Sequence, residues 1–367
     1  MKKILIVSTV SRQFYLFEQG NIEVLKSLGY EVHAAANFSD ANERLDALDI
    51  IRHPFDIQRS PFSIKNIKAY KQLTEIMKSV EFDVVHCHSP MGGVLARLAA
   101  RSVGVSTVVY TAHGFHFYRG APIINWIFYY RIERFLSKYT DILITINHED
   151  YCIAQKFSSN KVVFVPGIGV DTNRFIRDQE DREKKRKELG IESDTVVFLS
   201  TGELIKRKNH ETALRALSEL DYKNYKYLIC GRGVMKDYLK ELVNILQMED
   251  KVIFLGYRND IPELCAAADV FIFPSFQEGL PVSVMEAMSA ELPIVCSEIR
   301  GNSDLIINGE GGFLHAPNDV NGFASSIRKL IMDVKLRKIM GNRNYKNVKR
   351  YDKIQVKEEM KKLYGKL

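Results

Sequence analysis

Long apolar runs are absent from this chain of 367 residues. A membrane-spanning helix needs about 18 or more consecutive apolar residues with few charges, and no segment meets that requirement. The short apolar run behind the two N-terminal lysines has no small-residue cleavage site, so we expect a first β-strand there rather than a signal peptide. The sequence therefore predicts no membrane span.

Cysteine is scarce, with five residues scattered along the chain and no C-x-x-C pair among them. Paired cysteines mark zinc sites and disulfide frameworks, so neither is expected. Most of the cysteines lie in apolar segments, where a reduced cysteine packs as a small hydrophobic residue. This usage favours a cytoplasmic protein.

Neither the acidic nor the basic side chains dominate the composition. Hydrophobic residues make up 46% of the chain and charged residues 26%, with a formal net charge of +7. These values are typical of a soluble globular protein. A moderate basic excess suits nucleic acid, anionic lipid and phosphorylated substrates alike, and it does not discriminate among them.

Short apolar strands alternate with helical patterns along the whole chain. Such alternation predicts an α/β fold with parallel sheets covered on both faces. A glycine- and proline-rich segment near residue 170, followed by a run of charges, marks a domain boundary. We therefore expect two Rossmann-like, doubly wound domains, 1–170 and 171–345, with a ligand cleft between the carboxyl ends of their sheets.

One segment is especially informative: residues 273–304, FPSFQEGLPVSVMEAMSAELPIVCSEIRGNSD. A strand feeds a glycine-proline turn and a helix, and the free N–H groups at a helix N-terminus bind anions. Glu278 and Glu286 flank that turn. Carboxylates do not bind phosphate, so we expect them to bind hydroxyls. Phosphate and hydroxyls together indicate a nucleotide sugar.

Three consecutive cations, Lys206, Arg207 and Lys208, follow another strand of the second domain. They are either a solvent-exposed basic turn or the cations that offset the charge of a departing diphosphate. Gly231, in the turn CGRG, is expected to let the backbone approach a ligand. The third glycine of a dinucleotide fingerprint is missing there, which argues against a dinucleotide cofactor.

Gly256-Tyr-Arg258 ends a further strand, and a nucleotide base is expected beside it. Asp260 is predicted to cap the helix that follows. In the first domain His113 follows a strand and suits contact with a sugar hydroxyl or proton transfer, although a structural histidine is the alternative. His86 and His88 end another strand, and without a carboxylate at ligand spacing we expect no metal there.

The segment 115–139 combines the only tryptophan with many aromatic and basic residues. From Pro122 to Lys138 the pattern predicts a helix with a large apolar face and cationic flanks. This helix is expected to rest on an anionic membrane surface, and ordinary packing within the domain is the competing explanation.

The string from Pro274 to Met288 resembles the signature of retaining family-four glycosyltransferases, which have the GT-B fold. GELIKRKNH and EIRGNSDLI are most similar to members that build bacterial capsular or exopolysaccharide repeat units. The resemblance covers nearly the whole chain and implies transfer from a nucleotide sugar, most often a UDP-sugar, to a lipid-linked saccharide. It also implies that the last helix, near 345–367, crosses back onto the first domain.

The resemblance implies a role for each matching residue. Glu286 binds the ribose, Glu278 contacts the donor sugar, Lys208 binds the diphosphate, Arg258 lies beside uracil and His113 lies near the sugar hydroxyls. The backbone of the following turn would hold sugar or phosphate: Gly279, Leu280 and Pro281.

Three places depart from the family pattern. The Gly-Gly pair of the first loop is replaced by Thr9-Val-Ser-Arg-Gln13, on the acceptor side, which leaves the identity of the acceptor open. Glu203 replaces a diphosphate-binding arginine, so Lys206 or Arg207 is expected to substitute. Glu291 replaces a glycine, at a cost if its φ is positive.

The resulting prediction is a glycosyltransferase at the inner face of the cell membrane that needs no metal or other cofactor and binds no nucleic acid. The metal is thought dispensable because lysine and helix dipoles take its place and no Asp-x-Asp cluster lies near the site. Two alternatives stay open: a UDP-sugar epimerase on the same fold, and a non-catalytic basic protein that binds membranes or nucleic acid. Two buried carboxylates argue against the second, because binding polyanions does not require them.

Overall fold

The computed structural model describes residues 1–367. It divides into two compact units: Met1–Gly169 with Lys353–Leu367 (unit 1), and Val170–Asp352 (unit 2). The sequence placed the boundary at residue 170 and the returning helix near 345–367. The C-terminal helix begins later, at Lys353, because a 3-10 turn at Lys349–Tyr351 and an extended Asp352 separate it from the preceding helix. Residues 345–352 therefore lie in unit 2.

Unit 1 contains one parallel sheet of seven strands in the order β3-β2-β1-β4-β5-β6-β7. Its strands are β1 Lys3–Val10, β2 Glu31–Asn37, β3 Ile51–Pro54, β4 Val84–His88, β5 Thr107–Ala112, β6 Ile142–Thr145 and β7 Lys161–Phe164. Its first six helices are α1 Gln19–Ser27, α2 Glu43–Asp46, α3 Lys65–Ser79, α4 Pro90–Val103, α5 Ile123–Leu136 and α6 His148–Ala154. A π-helical turn at Phe14–Glu18 leads into α1, and a 3-10 turn at Ser137–Tyr139 follows α5.

Unit 2 contains a parallel sheet of six strands in the order β10-β9-β8-β11-β12-β13. The strands are β8 Val196–Thr201, β9 Tyr225–Cys230, β10 Val252–Gly256, β11 Val270–Phe273, β12 Ile294–Ser297 and β13 Gly312–His315. The helices are α7 Gln179–Glu188, α8 His210–Ser218, α9 Lys236–Ile245, α10 Ile261–Ala267, α11 Val282–Ser289, α12 Asn302–Leu305, α13 Val320–Met332 and α14 Val334–Val348. Three 3-10 turns, Thr172–Phe175, Lys206–Lys208 and Lys349–Tyr351, complete the unit. The last helix, α15 Lys353–Tyr364, belongs to unit 1.

Alternate residues of the central strands pack into different cores, which explains why whole strands are apolar. In β1, Leu5 and Val7 join one buried cluster, while Ile4 and Ile6 join the cluster on the opposite face. The second cluster also contains Met360 of α15, so the C-terminal helix completes the core of unit 1. Burial on both faces is the arrangement expected for a parallel sheet.

The strand order of each sheet reverses beside its first strand. This switch point lies between β1 and β4 in unit 1 and between β8 and β11 in unit 2. Ligands of open α/β sheets bind outside the carboxyl ends of the strands at such points. The loops that follow β4, β8 and β11 are therefore the first places to look for function.

Two further properties of the fold bear on the sequence predictions. Glu291 has a φ of 57°, so the residue that replaces the family's glycine does adopt the left-handed conformation. That conformation costs a non-glycine residue on the order of 1 kcal/mol. None of the helices combines the length and the apolarity that crossing a bilayer requires.

Candidate functional site

The predicted cations and the first glutamate of unit 2 meet at the switch point. Lys208 Nζ and Arg207 Nη1 each lie 2.8 Å from Glu278 Oε1 and donate to it. Arg207 also donates to the carbonyl oxygen of Gln277 at 2.6 Å, and the Phe276 amide donates to the carbonyl of Arg207 at 2.8 Å. These bonds join the loop after β8 to the loop after β11. We call Arg207, Lys208 and Glu278 the charge cluster.

The charge cluster is largely withdrawn from solvent. The side chain of Glu278 is 9% exposed and that of Lys208 is 12% exposed. Burial lowers the pKa of Lys208, and the Glu278 carboxylate opposes that shift. The ammonium group also lies 4.6 Å from the centre of the Phe273 ring, a cation–π distance. In the charge cluster, two cationic side chains therefore pair with one buried carboxylate.

Lys206 is not part of this cluster. It begins the 3-10 turn Lys206–Lys208, its side chain is exposed and it forms no ion pair. Glu203, at the position of the family's arginine, is exposed too. Of the two predicted substitutes for that arginine, only Arg207 contacts Glu278.

Glycines allow the neighbouring loops to approach one another closely. Gly231 has a φ of 153°, and a Cβ atom there would lie 1.8 Å from the carbonyl oxygen of Gly202. A Cβ on Gly301 would lie 2.4 Å from the carbonyl oxygen of Gly279. No side chain fits at either position, so both loops present bare backbone at the strand ends.

The turn that opens α11 leaves its helix N-terminus without a side-chain cap. Pro281 occupies the N-cap position and makes no capping hydrogen bond, while Leu280 beside it is buried. The first amide groups of α11 therefore keep their hydrogen-bonding capacity for a ligand, and the helix dipole favours an anion there.

Glu286 lies in α11, one turn beyond that N-terminus. Its carboxylate has no hydrogen-bond partner in the chain, and burial raises its pKa to about 7 although the charge of Arg174 opposes the shift. A carboxylate kept from water without a protein donor is suited to accept hydrogen bonds from ligand hydroxyls.

Arg258 is held in an ion network rather than left free beside a ligand. Its Nε donates to Asp260 at 2.7 Å and its Nη2 to Glu188 at 3.2 Å, while Lys185 Nζ lies 2.7 Å from Asp260. The hydrogen bonds to Asp260 raise the pKa of Arg258. The predicted capping role of Asp260 is wrong: α10 receives no side-chain cap, because the carboxylate bonds to these cations instead.

In unit 1, His113 belongs to a cluster that the sequence did not predict. His88 ends β4, His113 follows β5, and the two strands are neighbours in the sheet. His88 Nδ1 lies 3.1 Å from His113 Nε2 and 3.1 Å from Glu18 Oε1. The amide nitrogen of Gln13 lies 3.2 Å from His113 Nε2. The expectation that no carboxylate accompanies these histidines is wrong, because the π-helical turn supplies Glu18.

His86, in contrast, has a structural role. It is fully buried, with Nδ1 2.8 Å from the hydroxyl of Tyr364 and Nε2 2.8 Å from that of Thr111. These two contacts tie α15 to the sheet of unit 1. Burial lowers the pKa of His86 well below its usual value, so the ring is neutral.

Helix α5 has two different faces. Trp126 and Tyr130 pack toward Phe117, with ring centres 5.5 and 5.3 Å from it, which is the packing role that the sequence left open. The outward face carries exposed apolar and cationic side chains: Ile123, Ile124, Ile127, Phe128, Arg131, Ile132, Arg134, Phe135 and Lys138.

Sequence reasoning missed three residues of these sites: Gln13, Glu18 and Arg174. Gln13 directly precedes the π-helical turn that contains Glu18, and both lie about 70 residues before His88. Arg174 lies in a 3-10 turn more than 100 residues before Glu286. No spacing or periodicity in the sequence relates residues so far apart.

The known proteins to which this chain is similar are glycosyltransferases, and the similarity extends over nearly its whole length. The family model "Glycosyl transferases group 1" matches residues 181–347, and "Glycosyl transferase 4-like" matches residues 3–147. The chain is 38% identical to the putative glycosyltransferase EpsD of Bacillus subtilis, over 99% of this chain and 96% of that protein.

It is 34% identical to an Escherichia coli galactosyltransferase, over 79% of each chain. That relative is named UDP-Gal:alpha-D-GlcNAc-diphosphoundecaprenol alpha-1,3-galactosyltransferase. Among solved structures, Anabaena HepE in complex with UDP and glucose matches with a TM-score of 0.82 and 20% identity, over 100% of both chains. The GT-B fold and the resemblance to glycosyltransferases are confirmed.

Proposed function

The chain belongs to the group 1 glycosyl transferases, and on that premise we propose a retaining enzyme that uses a UDP-sugar to extend a lipid-linked saccharide. The product would enter a cell-surface polysaccharide such as a capsule, exopolysaccharide or O-antigen. The name of the E. coli relative, with UDP-Gal as donor and a diphosphoundecaprenol-linked acceptor, supports this choice of substrates. The UDP in the HepE complex supports the same nucleotide.

The observation that carries the proposal is the charge cluster at the switch point of unit 2. Without a ligand, Lys208 and Arg207 both pair with Glu278. We propose that the diphosphate of the donor takes over the two cations, which leaves Glu278 to accept hydrogen bonds from sugar hydroxyls. Lys208 is already buried, and both cations are held in place by Glu278, so little reorganisation is needed when charge develops on the leaving UDP.

The remaining parts of the donor have matching groups nearby. The uncapped N-terminus of α11 would hold phosphate oxygens, with the backbone of Gly279 and Leu280 close by. Glu286 would accept hydrogen bonds from the two ribose hydroxyls. Arg258 would meet uracil while it stays paired with Asp260, so its guanidinium plane would be fixed before the base arrives.

Retention of configuration fits the role proposed for Glu278. A carboxylate that accepts hydrogen bonds from the sugar hydroxyls is not free to attack the anomeric carbon, so a covalent glycosyl-enzyme intermediate is disfavoured. We propose that the acceptor hydroxyl attacks from the face that UDP leaves, and that the departing phosphate takes its proton. Lys208 and Arg207 supply the positive charge that a divalent ion provides at many other diphosphate sites, so transfer is proposed to be metal-independent.

The outward face of α5 suggests where the enzyme would meet its lipid-linked acceptor. Exposed isoleucines and phenylalanines lie among arginines and a lysine, the combination typical of a helix that rests in an anionic membrane interface. We therefore propose a peripheral enzyme of the inner face of the cell membrane, with no role for nucleic acid.

The donor site is tested by calorimetric titration of UDP into the wild type and Lys208→Met, which keeps an apolar stem but removes the charge. Loss of a buried charge-assisted contact should weaken UDP binding at least about tenfold. Lys240→Ala, an exposed lysine on α9, is the matched control and should bind UDP normally. Equal affinity for wild type and Lys208→Met would remove Lys208 from the diphosphate site.

A further inference from the structure

Three ligand-type atoms of unit 1 converge on one point: Glu18 Oε1, His88 Nδ1 and His113 Nε2. Their separations are 3.1 Å (His88–Glu18), 3.1 Å (His88–His113) and 3.9 Å (His113–Glu18). All three lie within 4.8 Å of one another. Neither Glu18 nor His88 has a role in the proposed donor site. The cluster therefore needs an explanation of its own.

The separations match those around a four-coordinate ion. Bonds of about 2.0–2.2 Å from a tetrahedral zinc ion to nitrogen and oxygen place neighbouring ligand atoms roughly 3.3–3.5 Å apart. The three observed distances scatter around that value. Small shifts of the side chains would therefore bring all three atoms into the coordination sphere of one ion.

Hydrogen bonding alone satisfies this cluster poorly. His88 Nδ1 lies 3.1 Å from both Glu18 Oε1 and His113 Nε2. A proton on His88 Nδ1 would have to be shared between these two atoms, and a proton on His113 Nε2 instead would leave the lone pair of His88 Nδ1 facing the carboxylate. The Gln13 amide lies 3.2 Å from His113 Nε2 and 3.1 Å from Glu18 Oε1, and the Asn21 amide donates to the other carboxylate oxygen, Glu18 Oε2, at 2.7 Å. Neither amide supplies a hydrogen between the two histidines. His88 Nε2 is buried without a partner, so no second contact fixes the proton on Nδ1. A cation would use the converging lone pairs directly.

A second histidine cluster in the same unit shows the contrast. Glu31 and His53 also contact one imidazole, that of His33, each at 2.8 Å. There the two partners use different ring nitrogens, on opposite sides of His33, and each contact can hold its own proton. That arrangement is a hydrogen-bonded chain whose ligand atoms do not converge, which makes it the natural control.

The surroundings leave room for a fourth ligand. A cavity of about 50 Å³ borders Glu18, His88 and His113 and is lined by further residues of unit 1. This volume is sufficient for a water molecule. Three protein ligands and an open position filled by water are the arrangement of solvent-accessible zinc sites.

We propose that Glu18, His88 and His113 bind one Zn²⁺, or a similar divalent transition ion, with water as the fourth ligand. A ligand set of two imidazole nitrogens and one carboxylate oxygen suits zinc, whereas magnesium and calcium prefer oxygen ligands throughout. Binding occupies His113 Nε2. If His113 contacts the donor sugar, as the family resemblance implies, the ion inhibits transfer; this consequence rests on the proposed function, whereas the metal site itself does not.

The test is a titration of the metal-free full chain with Co²⁺, which reports coordination through its visible absorption, followed by competition with Zn²⁺. We expect one ion per chain, the intense d–d bands of four-coordinate cobalt, and displacement by Zn²⁺. Zn²⁺ should also raise the melting temperature of the wild type. Magnesium should produce neither effect.

Variants locate the ion. His113→Ala, whose side chain is 28% exposed and therefore tolerant of change, and Glu18→Gln should each bind Co²⁺ at least about tenfold more weakly. His53→Ala, from the hydrogen-bonded chain, should bind like the wild type. Octahedral-type weak bands in the wild type, or wild-type affinity in folded His113→Ala, would overturn the proposal. UDP binding in unit 2 should be unaffected by Glu18→Gln, so failure of the metal site and failure of the donor site are distinguishable.

Discussion

Three charged residues of the proposed donor site are withdrawn from solvent: Glu278, Lys208 and Glu286. Their charges are compensated in different ways. The first two neutralise each other at 2.8 Å, whereas Glu286 has no hydrogen-bond partner and its pKa is raised by burial to about 7. Hydrogen bonds from ligand hydroxyls should stabilise most strongly a carboxylate whose ionisation is costly in the ligand-free protein. The different states of the two glutamates support separate roles in donor binding.

The raised pKa of Glu286 predicts a pH-dependent stability. The folded state binds this proton more tightly than the unfolded chain, so the stabilisation is present below about pH 4.5 and is lost as the pH rises through about 7. A shift from 4.5 to about 7 corresponds to at most about 3 kcal/mol in the free energy of unfolding.

Glu286→Gln removes the titration, so its stability relative to the wild type should increase between about pH 5 and about pH 8. Urea unfolding at the two pH values measures the difference. Glu241→Gln, which changes an exposed glutamate of α9 in the same unit, is the control. If the free energies of unfolding of the wild type and Glu286→Gln change in parallel with pH, the pKa of Glu286 is not raised in the folded protein.

Residues differ in how far the sequence predicts them. Glu278 and Lys208 follow strands β11 and β8, and parallel neighbours bring their carboxyl ends together, so their meeting was predictable. Glu18 was not, because it lies in a π-helical turn that no local pattern indicates. The capping role of Asp260 was a reasonable local prediction that an ion network with Arg258 and Lys185 overrides.

Among the helices and strands, α5 allows the most direct test, because its exposed apolar face is proposed to bind a membrane. Its inward face is used by Trp126 and Tyr130, so the exposed apolar residues opposite are not needed for folding. Ile127→Ser with Phe128→Ser should reduce flotation with anionic vesicles at least about tenfold, because each side chain contributes on the order of 1 kcal/mol or more when buried in the interface.

The matched control for α5 is Ile245→Ser, which changes an isoleucine of α9 that is 69% exposed. It should float like the wild type, and the double variant should keep the wild-type melting temperature. Wild-type flotation that shows no preference for anionic over neutral vesicles would refute the membrane role of α5.

Element boundaries show where sequence patterns stop being informative. Strands and helices were recognisable because apolar runs and helical periodicity are local signals. The start of the C-terminal helix was placed at 345 instead of Lys353, since the 3-10 turn before it continues the same helical-looking pattern. Its return to unit 1 came from family resemblance, and burial of Met360 and Tyr364 provides the physical reason for it.

For the whole molecule, two parallel sheets and a glycosyltransferase family are established, and the donor and acceptor remain proposals. Alternating strands and helices predicted the architecture because each βαβ unit is local in sequence. Substrate choice depends on a few hydroxyl contacts that neither periodicity nor charge encodes. The E. coli relative is named for a UDP-Gal donor and a diphosphoundecaprenol-linked acceptor, and the proposed substrates of this chain rest on that name.

The most direct measurement is transfer from a panel of UDP- and GDP-sugars, scored as nucleotide release with and without a diphosphoundecaprenol-linked saccharide. We expect release from a UDP-sugar only when the acceptor is present, without added metal, and a loss of at least about 100-fold in Lys208→Met. An interconverted UDP-sugar formed without acceptor, or release from GDP-sugars alone, would contradict the proposed reaction.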